Sequence, residues 1–332
     1  MAMFDRDSSS IIVKVAVGIV LLGTIVAFVD VDKIISTAKE ADFLLILAAL
    51  ALLPINMLLE AAKWRLLLAP SVERITLREA AGSVLAGYAL GFVTPARFGE
   101  YAGRVFYLKD ARKGALVVLA FVDRMYSVWI YSIFGTVILG FQLEGALPGP
   151  GGIWWLTFAL GIAICVVIGV FVLKPSTLFT VSGSLLKWRA TRRWRRHLAA
   201  ARSVQTSVSL NVLLLSLIRY GVFCTQFVAL VLAFSPTSPV ASVYGGVALA
   251  FFAKTIVPSV SLFDLGIRES AAVFFLGFFG IASAAAFNAS LILFVVNLAL
   301  PALAGIAFVP RMRWTRPRPA AGEARTVEVR TG

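Results

Sequence analysis

One histidine and two cysteines are all that this chain of 332 residues offers to imidazole or thiol chemistry. The histidine, His197, lies in a basic segment, so a metal site built from histidines, or a histidine general base at membrane depth, has no candidate. Cys165 and Cys224 each fall within an apolar run, where a thiol behaves as a small hydrophobe, and no disulfide framework is expected. Charge is scarce as well, at 14% of residues, against about 25% in an average soluble domain. The hydrophobic share is 60% and the mean hydropathy +0.91. A water-soluble core cannot hide that much, because roughly a quarter of the unfolded chain's surface stays exposed even at ~300 residues. A soluble enzyme, a DNA-binding module and a secreted disulfide scaffold are excluded together, and lipid is the solvent. The sequence also lacks a phosphate-binding Walker loop, a dinucleotide fingerprint, a nucleophile elbow and a metal-ligand cluster, so no cofactor, no metal and no enzymatic step are expected.

What is present is apolar length and positive charge. Full-length apolar stretches occur at 11–29, 43–62, 114–140, 153–173, 208–234 and 285–309, enough for six spanning helices. The first ends at Phe28-Val29-Asp30 without a small-x-small cleavage site, so it reads as a retained span rather than a signal peptide. Lys and Arg number 31 against 17 acids, and their placement orients the chain. Segment 174–205 holds eight Lys and Arg and no acid, and the tail beyond Pro310 opens Arg311, Arg313, Arg316, Arg318, so both read as cytoplasmic. Divided this way, the chain comprises an N-terminus (1–10), a first membrane half (11–173), a basic loop (174–207), a second membrane half (208–310) and a basic tail (311–332). The Trp and Arg of 188–197 interleave like a nucleic-acid patch, but between two spans they fit anionic inner-leaflet lipid, and no nucleic-acid partner is expected.

Two further apolar stretches, 79–94 and 240–257, each run into a break carrying proline, glycine and charge before the helix resumes. If the six long stretches cross and these two enter and return on one side, every loop lands on the side its charge demands. The expected fold class is therefore an all-α polytopic integral membrane protein, with about six spanning helices and two re-entrant hairpins in an inverted-repeat arrangement. The hairpins would enter from opposite faces, with both termini cytoplasmic. Their entering arms are rich in Gly, Ala and Ser, which let helices approach closely.

The first break reads Thr94-Pro95-Ala96-Arg97-Phe98-Gly99-Glu100, with Arg104 following at i,i+4 to Glu100 so that the two can pair on one helix face. Arg97 then stands near a helix start, where backbone N–H groups favour an anion. The residues read either as a phosphate-binding notch or as a structural ion pair beside an interfacial arginine. The second break repeats that grammar: Lys254, Pro258, Asp264, Gly266, then Arg268 and Glu269 opening the return helix. Asp123-Arg124 sits in the middle of the 114–140 stretch, where a charge costs about 2.5–3.5 kcal/mol. Neighbours on a helix point ~100° apart, so the two cannot satisfy each other, and one should reach a hairpin residue. Arg124 is expected to be held by Glu100 or Glu269. Arg219 reads as a lone cation that is either buried or snorkels to the interface, and Asn56, Asn288 and Asn297 as hydrogen bonders between helices.

Taken together, Pro95-x-Arg97-x-Gly99-Glu100 and Pro258 with Gly266-Ile267-Arg268-Glu269 make the chain resemble the lysylphosphatidylglycerol synthase transmembrane-region family over roughly 10–310. Phe263 and Asp264 depart from it, standing where the family often has small residues. The resemblance implies the lipid-translocating portion without the soluble aminoacyl-transferase domain that fused members carry, because only a short polar tail follows Pro310. The expected function is to bind and move an amphiphilic lipid between leaflets of the inner (plasma) membrane, the cargo being an anionic phospholipid, an aminoacyl lipid, a hopanoid or a polyprenol-linked intermediate. Arg97, Arg124, Lys254 and Arg268 are the headgroup cations, with Glu100, Asp123 and Glu269 as their counter-charges or as proton carriers, and Arg104 and Asp264 complete the expected headgroup site. The alternatives are a membrane-embedded transferase acting on a lipid carrier, or a scaffold for a lipid-synthesis enzyme as partner.

Overall fold

A computed structural model of the chain describes residues 31–72, 74–94, 97–108, 112–142, 152–185, 197–256 and 266–312. Every regular element among them is helical. The first candidate span at 11–29, residues 186–196 of the basic loop, Pro95 and Pro258 at the two breaks, Asp264 and the tail from 313 lie outside the described residues.

Helix α1 (Val31–Lys39) has Asp32 in its first turn and Lys39 in its last, each at the end of the helix dipole that suits its charge. Helix α2 (Phe43–Leu68) starts where the Asp42 carboxylate accepts the N–H groups of Leu44 and Leu45. It runs 26 residues, past the end of the 43–62 apolar stretch and straight through Glu60 and Lys63, because those charges turn inward rather than mark a boundary. Helix α3 (Leu77–Val93) opens with a capping box between Thr76 and Glu79. Helix α4 (Phe98–Tyr107) follows the first break. Then come α5 (Lys113–Gln142), α6 (Gly152–Leu173), α7 (Ser176–Leu185) and α8 (Thr206–Phe234). The second half continues with α9 (Val240–Ile256), α10 (Ile267–Phe278) and α11 (Ser283–Phe294), which passes through a wide π turn at Val295–Ala299 into α12 (Leu300–Ile306).

Four of these are long and apolar enough to cross a membrane: α2, α5 over Lys113–Phe141, α8, and the continuous rod Ser283–Ile306. The expected span at 153–173 is the 22-residue helix α6, whose described apolar part is Phe158–Leu173. The molecule is thus an all-helical polytopic membrane protein.

The two interrupted stretches fold as paired arms. At 17 residues, α3 and α9 reach about 25 Å, short of a ~30 Å hydrocarbon layer, and their partners α4 and α10 are shorter still at 10 and 12 residues. In lipid, packing rather than hydrophobic burial holds helices together, and small residues make it possible. A Cβ on Gly87 would come within 2.9 Å of the Glu100 carbonyl, and one on Gly91 within 3.1 Å of the Glu100 Cβ, so α3 and α4 touch backbone to backbone. In the second pair, Gly246 lies against Leu276 and Gly245 against Phe279.

The first break is shaped by Thr94. Preceding a proline, it is extended at φ −110°, ψ 141°, which ends α3. Its hydroxyl donates to the Leu90 carbonyl at 2.8 Å and accepts from the Gly99 N–H at 2.7 Å, tying the last turn of α3 to the first of α4. Arg97, between them, adopts a left-handed backbone with φ 57°.

Apolar side chains gather into two clusters. One packs Phe227, Val231, Phe251, Leu276 and Leu293 from the second half. The other packs Trp64, Val84, Leu119 and Tyr126 from the first, joined by Phe294 and Leu298.

Candidate functional site: a charged cavity inside the helix bundle

Glu60 and Lys63 lie three residues apart on α2, and the Lys63 ammonium sits 3.1 Å from Glu60 Oε2. Lys63 also reaches Asp123 Oδ1 of α5 at 3.1 Å, with its side chain only 1% exposed. Asp123 Oδ2 accepts from Arg104 Nη1 of α4 at 3.1 Å. Arg104 Nη2 donates to both Glu60 Oε1 and Glu100 Oε1. Glu100 Oε2 in turn meets Arg97 at 3.0 Å, and Arg219 of α8 meets Glu60 Oε2 at 3.2 Å. One continuous network of ion pairs therefore joins α2, α4, α5 and α8. The Arg104 guanidinium also lies 5.4 Å from the centre of the Trp64 ring, whose indole N–H donates to Ser83. The Ser83 hydroxyl donates to the Arg104 carbonyl.

This network forms one wall of a polar cavity of about 180 Å³. Helix α9 contributes Lys254 and Thr255 to the lining, so residues of both paired-arm units face one space. Tyr88, Tyr101, Ser127 and Tyr131 supply neutral polar groups, while Phe223 and Phe251 close the apolar side. Asn56 and Asn297 also line it, joined by a hydrogen bond of 2.7 Å from Asn56 Nδ2 to Asn297 Oδ1. That bond is the interhelical link expected of these residues. It leaves Asn56 Oδ1 and Asn297 Nδ2 buried without hydrogen-bond partners among the described residues.

Of the site residues read from sequence, Arg97, Glu100, Arg104, Asp123, Arg124 and Lys254 line this cavity together. The i,i+4 pairing of Glu100 with Arg104 is present at 2.9 Å, and Asp123 is the member of its pair that reaches a hairpin residue. Arg124 departs from expectation. It is exposed, lines the cavity, and makes no ion pair to Glu100 or Glu269 among the described residues, because Asp123, ~100° around the helix, holds the inward position.

Arg268 and Glu269 stand apart from the cavity in a buried cluster of their own. They pair with each other, and Arg268 donates to Ser290 and stacks 5.0 Å from the Phe294 ring centre. Glu269 accepts the Gly266 N–H at 2.8 Å, which fastens the start of α10, where Gly266 has φ 93°. Asp264 lies outside the described residues.

Glu60 and Lys63 were missed by the sequence reading, and Arg219 was left undecided. The only local signal was an acid and a base at i,i+3 at the end of an apolar stretch. No group of three or more His, Cys, Asp or Glu is placed to hold a metal ion among the described residues.

No curated protein and no solved structure matches the chain. The family model described as the lysylphosphatidylglycerol synthase TM region matches residues 11–305. With a match over most of its length, the chain belongs to the lysylphosphatidylglycerol synthase transmembrane-region family, multi-pass membrane proteins that act on lipids.

Proposed function

We propose that this protein moves an amphiphilic lipid between the leaflets, with the headgroup in the charged cavity and the acyl or isoprenoid chains left in the bilayer. The observation that carries this reading is a cavity rich in Arg and Lys enclosed by helices apolar enough to span. Charges at membrane depth are costly and mark pathways for polar cargo. The cavity measures about 180 Å³. It falls short of the ~300 Å³ at which drug-sized sites begin, so a headgroup fits and a whole lipid does not.

In this reading α3–α4 and α9–α10 are re-entrant hairpins entering from opposite faces, in keeping with the charge of the loops, with Arg97 of the first and Lys254 of the second lining the cavity. Both termini are cytoplasmic and the membrane is the inner (plasma) membrane. The chain performs no chemistry, and membrane lipids are its partners. The experiment is a leaflet-exchange assay on purified protein in liposomes containing fluorescent phospholipids, with dithionite quenching the outer leaflet. Protein-dependent quenching beyond half of the label supports translocation, and quenching that stays at half with every lipid offered defeats it.

A further inference from the structure

We infer that this cavity reads hydroxyl groups, and that the headgroup it takes is a polyol, either glycerol-like or a ring of the sugar or cyclitol kind. The inference rests on the headgroup reading above and narrows its substrate class. It comes from the neutral side chains of the lining rather than from the charged ones.

Asn56 and Asn297 share one hydrogen bond and are left with an acceptor, Asn56 Oδ1, and a donor, Asn297 Nδ2, both buried and without partners among the described residues. Turning both amides over changes nothing, because a single bond between two amides always leaves one carbonyl oxygen and an N–H group over. A pair that served only to join α2 to the rod would leave those groups unsatisfied, whereas buried polar groups almost always find partners. Asn297 also sits in the π turn at Val295–Ala299, a distortion that recurs at functional sites. Four hydroxyls repeat the pattern. Tyr88, Tyr101, Ser127 and Tyr131 line the same space, and none of their hydroxyls makes a hydrogen bond among the described residues. Two of the rings are nonetheless held in place: the Arg97 guanidinium lies 5.4 Å from the centre of the Tyr88 ring, and Tyr131 stacks 5.8 Å from Phe251.

The amide pair calls for one donor and one acceptor, and each of the four hydroxyls can take either. A ligand hydroxyl supplies both from a single atom. An ionised phosphate oxygen only accepts, a primary ammonium only donates, and a trimethylammonium does neither. Water also does both, so the test compares lipids of equal charge that carry or lack hydroxyls.

The experiment is a titration of the full-length protein in detergent micelles, followed by native mass spectrometry. The probes are phosphatidylglycerol, phosphatidylinositol and phosphatidylpropanol with identical acyl chains, and water-soluble glycerol phosphate alone. At least one of the two hydroxylated lipids is expected to bind about tenfold more tightly than phosphatidylpropanol, which has the same phosphodiester charge and no headgroup hydroxyl. Preference for the first of them marks a glycerol-like group and preference for the second a ring. The double variant Asn56→Leu/Asn297→Leu removes both amides together, which leaves no orphaned partner, and is expected to erase most of the gap. Tyr88→Phe and Tyr131→Phe keep the packed rings and remove only the hydroxyls, so they should narrow it with the thermal midpoint unchanged. If phosphatidylpropanol binds as tightly as both hydroxylated lipids, the hydroxyl inference fails and the headgroup reading stands. If glycerol phosphate binds and weakens in the tyrosine variants while no lipid binds, the hydroxyl site stands and the lipid reading fails. If nothing binds, both fail.

Discussion

Glu60 on α2 and Arg219 on α8 meet at 3.2 Å, although one was hidden at the end of an apolar stretch and the other stood alone in a second. Glu60 also holds Lys63 and Arg104, so a single carboxylate compensates three cations from three helices. Replacing it with an uncharged isostere takes from Arg219 its ion pair and leaves Lys63 and Arg104 each one carboxylate short, and breaking a buried pair from one side costs about 3–5 kcal/mol. Glu60→Gln is expected to lower the thermal midpoint of the solubilised protein far more than Arg219→Gln, which leaves Glu60 two partners. Equal midpoints would remove Glu60 from the centre of the network.

Glu100 and Arg124 should separate folding from transport. Glu100→Gln withdraws one partner each from Arg97 and Arg104 and is expected to reduce folded yield. Arg124→Ala removes an exposed side chain with no ion pair among the described residues, so folded yield should hold while leaflet exchange falls by about tenfold or more. Size-exclusion profiles beside the exchange assay read both quantities. Normal exchange by Arg124→Ala shifts the headgroup contact to Arg97 and Lys254.

The contact between α3 and α4 depends on missing side chains. A Cβ on Gly87 would approach both the Arg104 Cγ and the Glu100 carbonyl at 2.9 Å, so Gly87→Val must push the arms apart, an overpacking that costs about 1–3 kcal/mol. Gly277, by contrast, has nothing within 4 Å of its added Cβ. Gly277→Ala is expected to be neutral or to stabilise by up to ~1 kcal/mol through helix propensity. Melting curves of the two variants side by side provide the check.

Topology is open to thiol labelling. With Cys165 and Cys224 replaced by alanine, single cysteines at positions 190 and 237 are expected to react from opposite sides with an impermeant maleimide, 190 only from the cytoplasm. Labelling of 190 in intact cells reverses the orientation and the assignment of each hairpin to its face.

The parts of this architecture that were legible in sequence are those written in short-range grammar. Pro95 and Gly99 announced a break, and Glu100 with Arg104 announced a pair, because helix geometry puts i and i+4 on one face. Asp123-Arg124 announced a buried charge but not which of the two it was, since choosing between faces ~100° apart depends on what packs against α5. Glu60 and Lys63 escaped notice at the end of the 43–62 stretch, because their partners Asp123, Arg104 and Arg219 are brought to them only by tertiary packing. The second break repeated the first in residue types and not in role: Arg268 and Glu269 close on each other, Ser290 and Gly266 instead of facing the cavity.

The wide turn at Val295–Ala299 makes the rod from Ser283 to Ile306 two helices of different phase on a common axis. Upstream of it Leu293 belongs to the apolar cluster of the second half, and downstream Gly305 packs against the Leu85 carbonyl on α3. A regular helix would carry each later residue about 100° further round and turn Gly305 away from α3. The extra residue in that turn is therefore what lets one rod keep a face toward each half of the molecule. The same turn sets Asn297 beside the cavity, at the point where the rod passes from one half to the other.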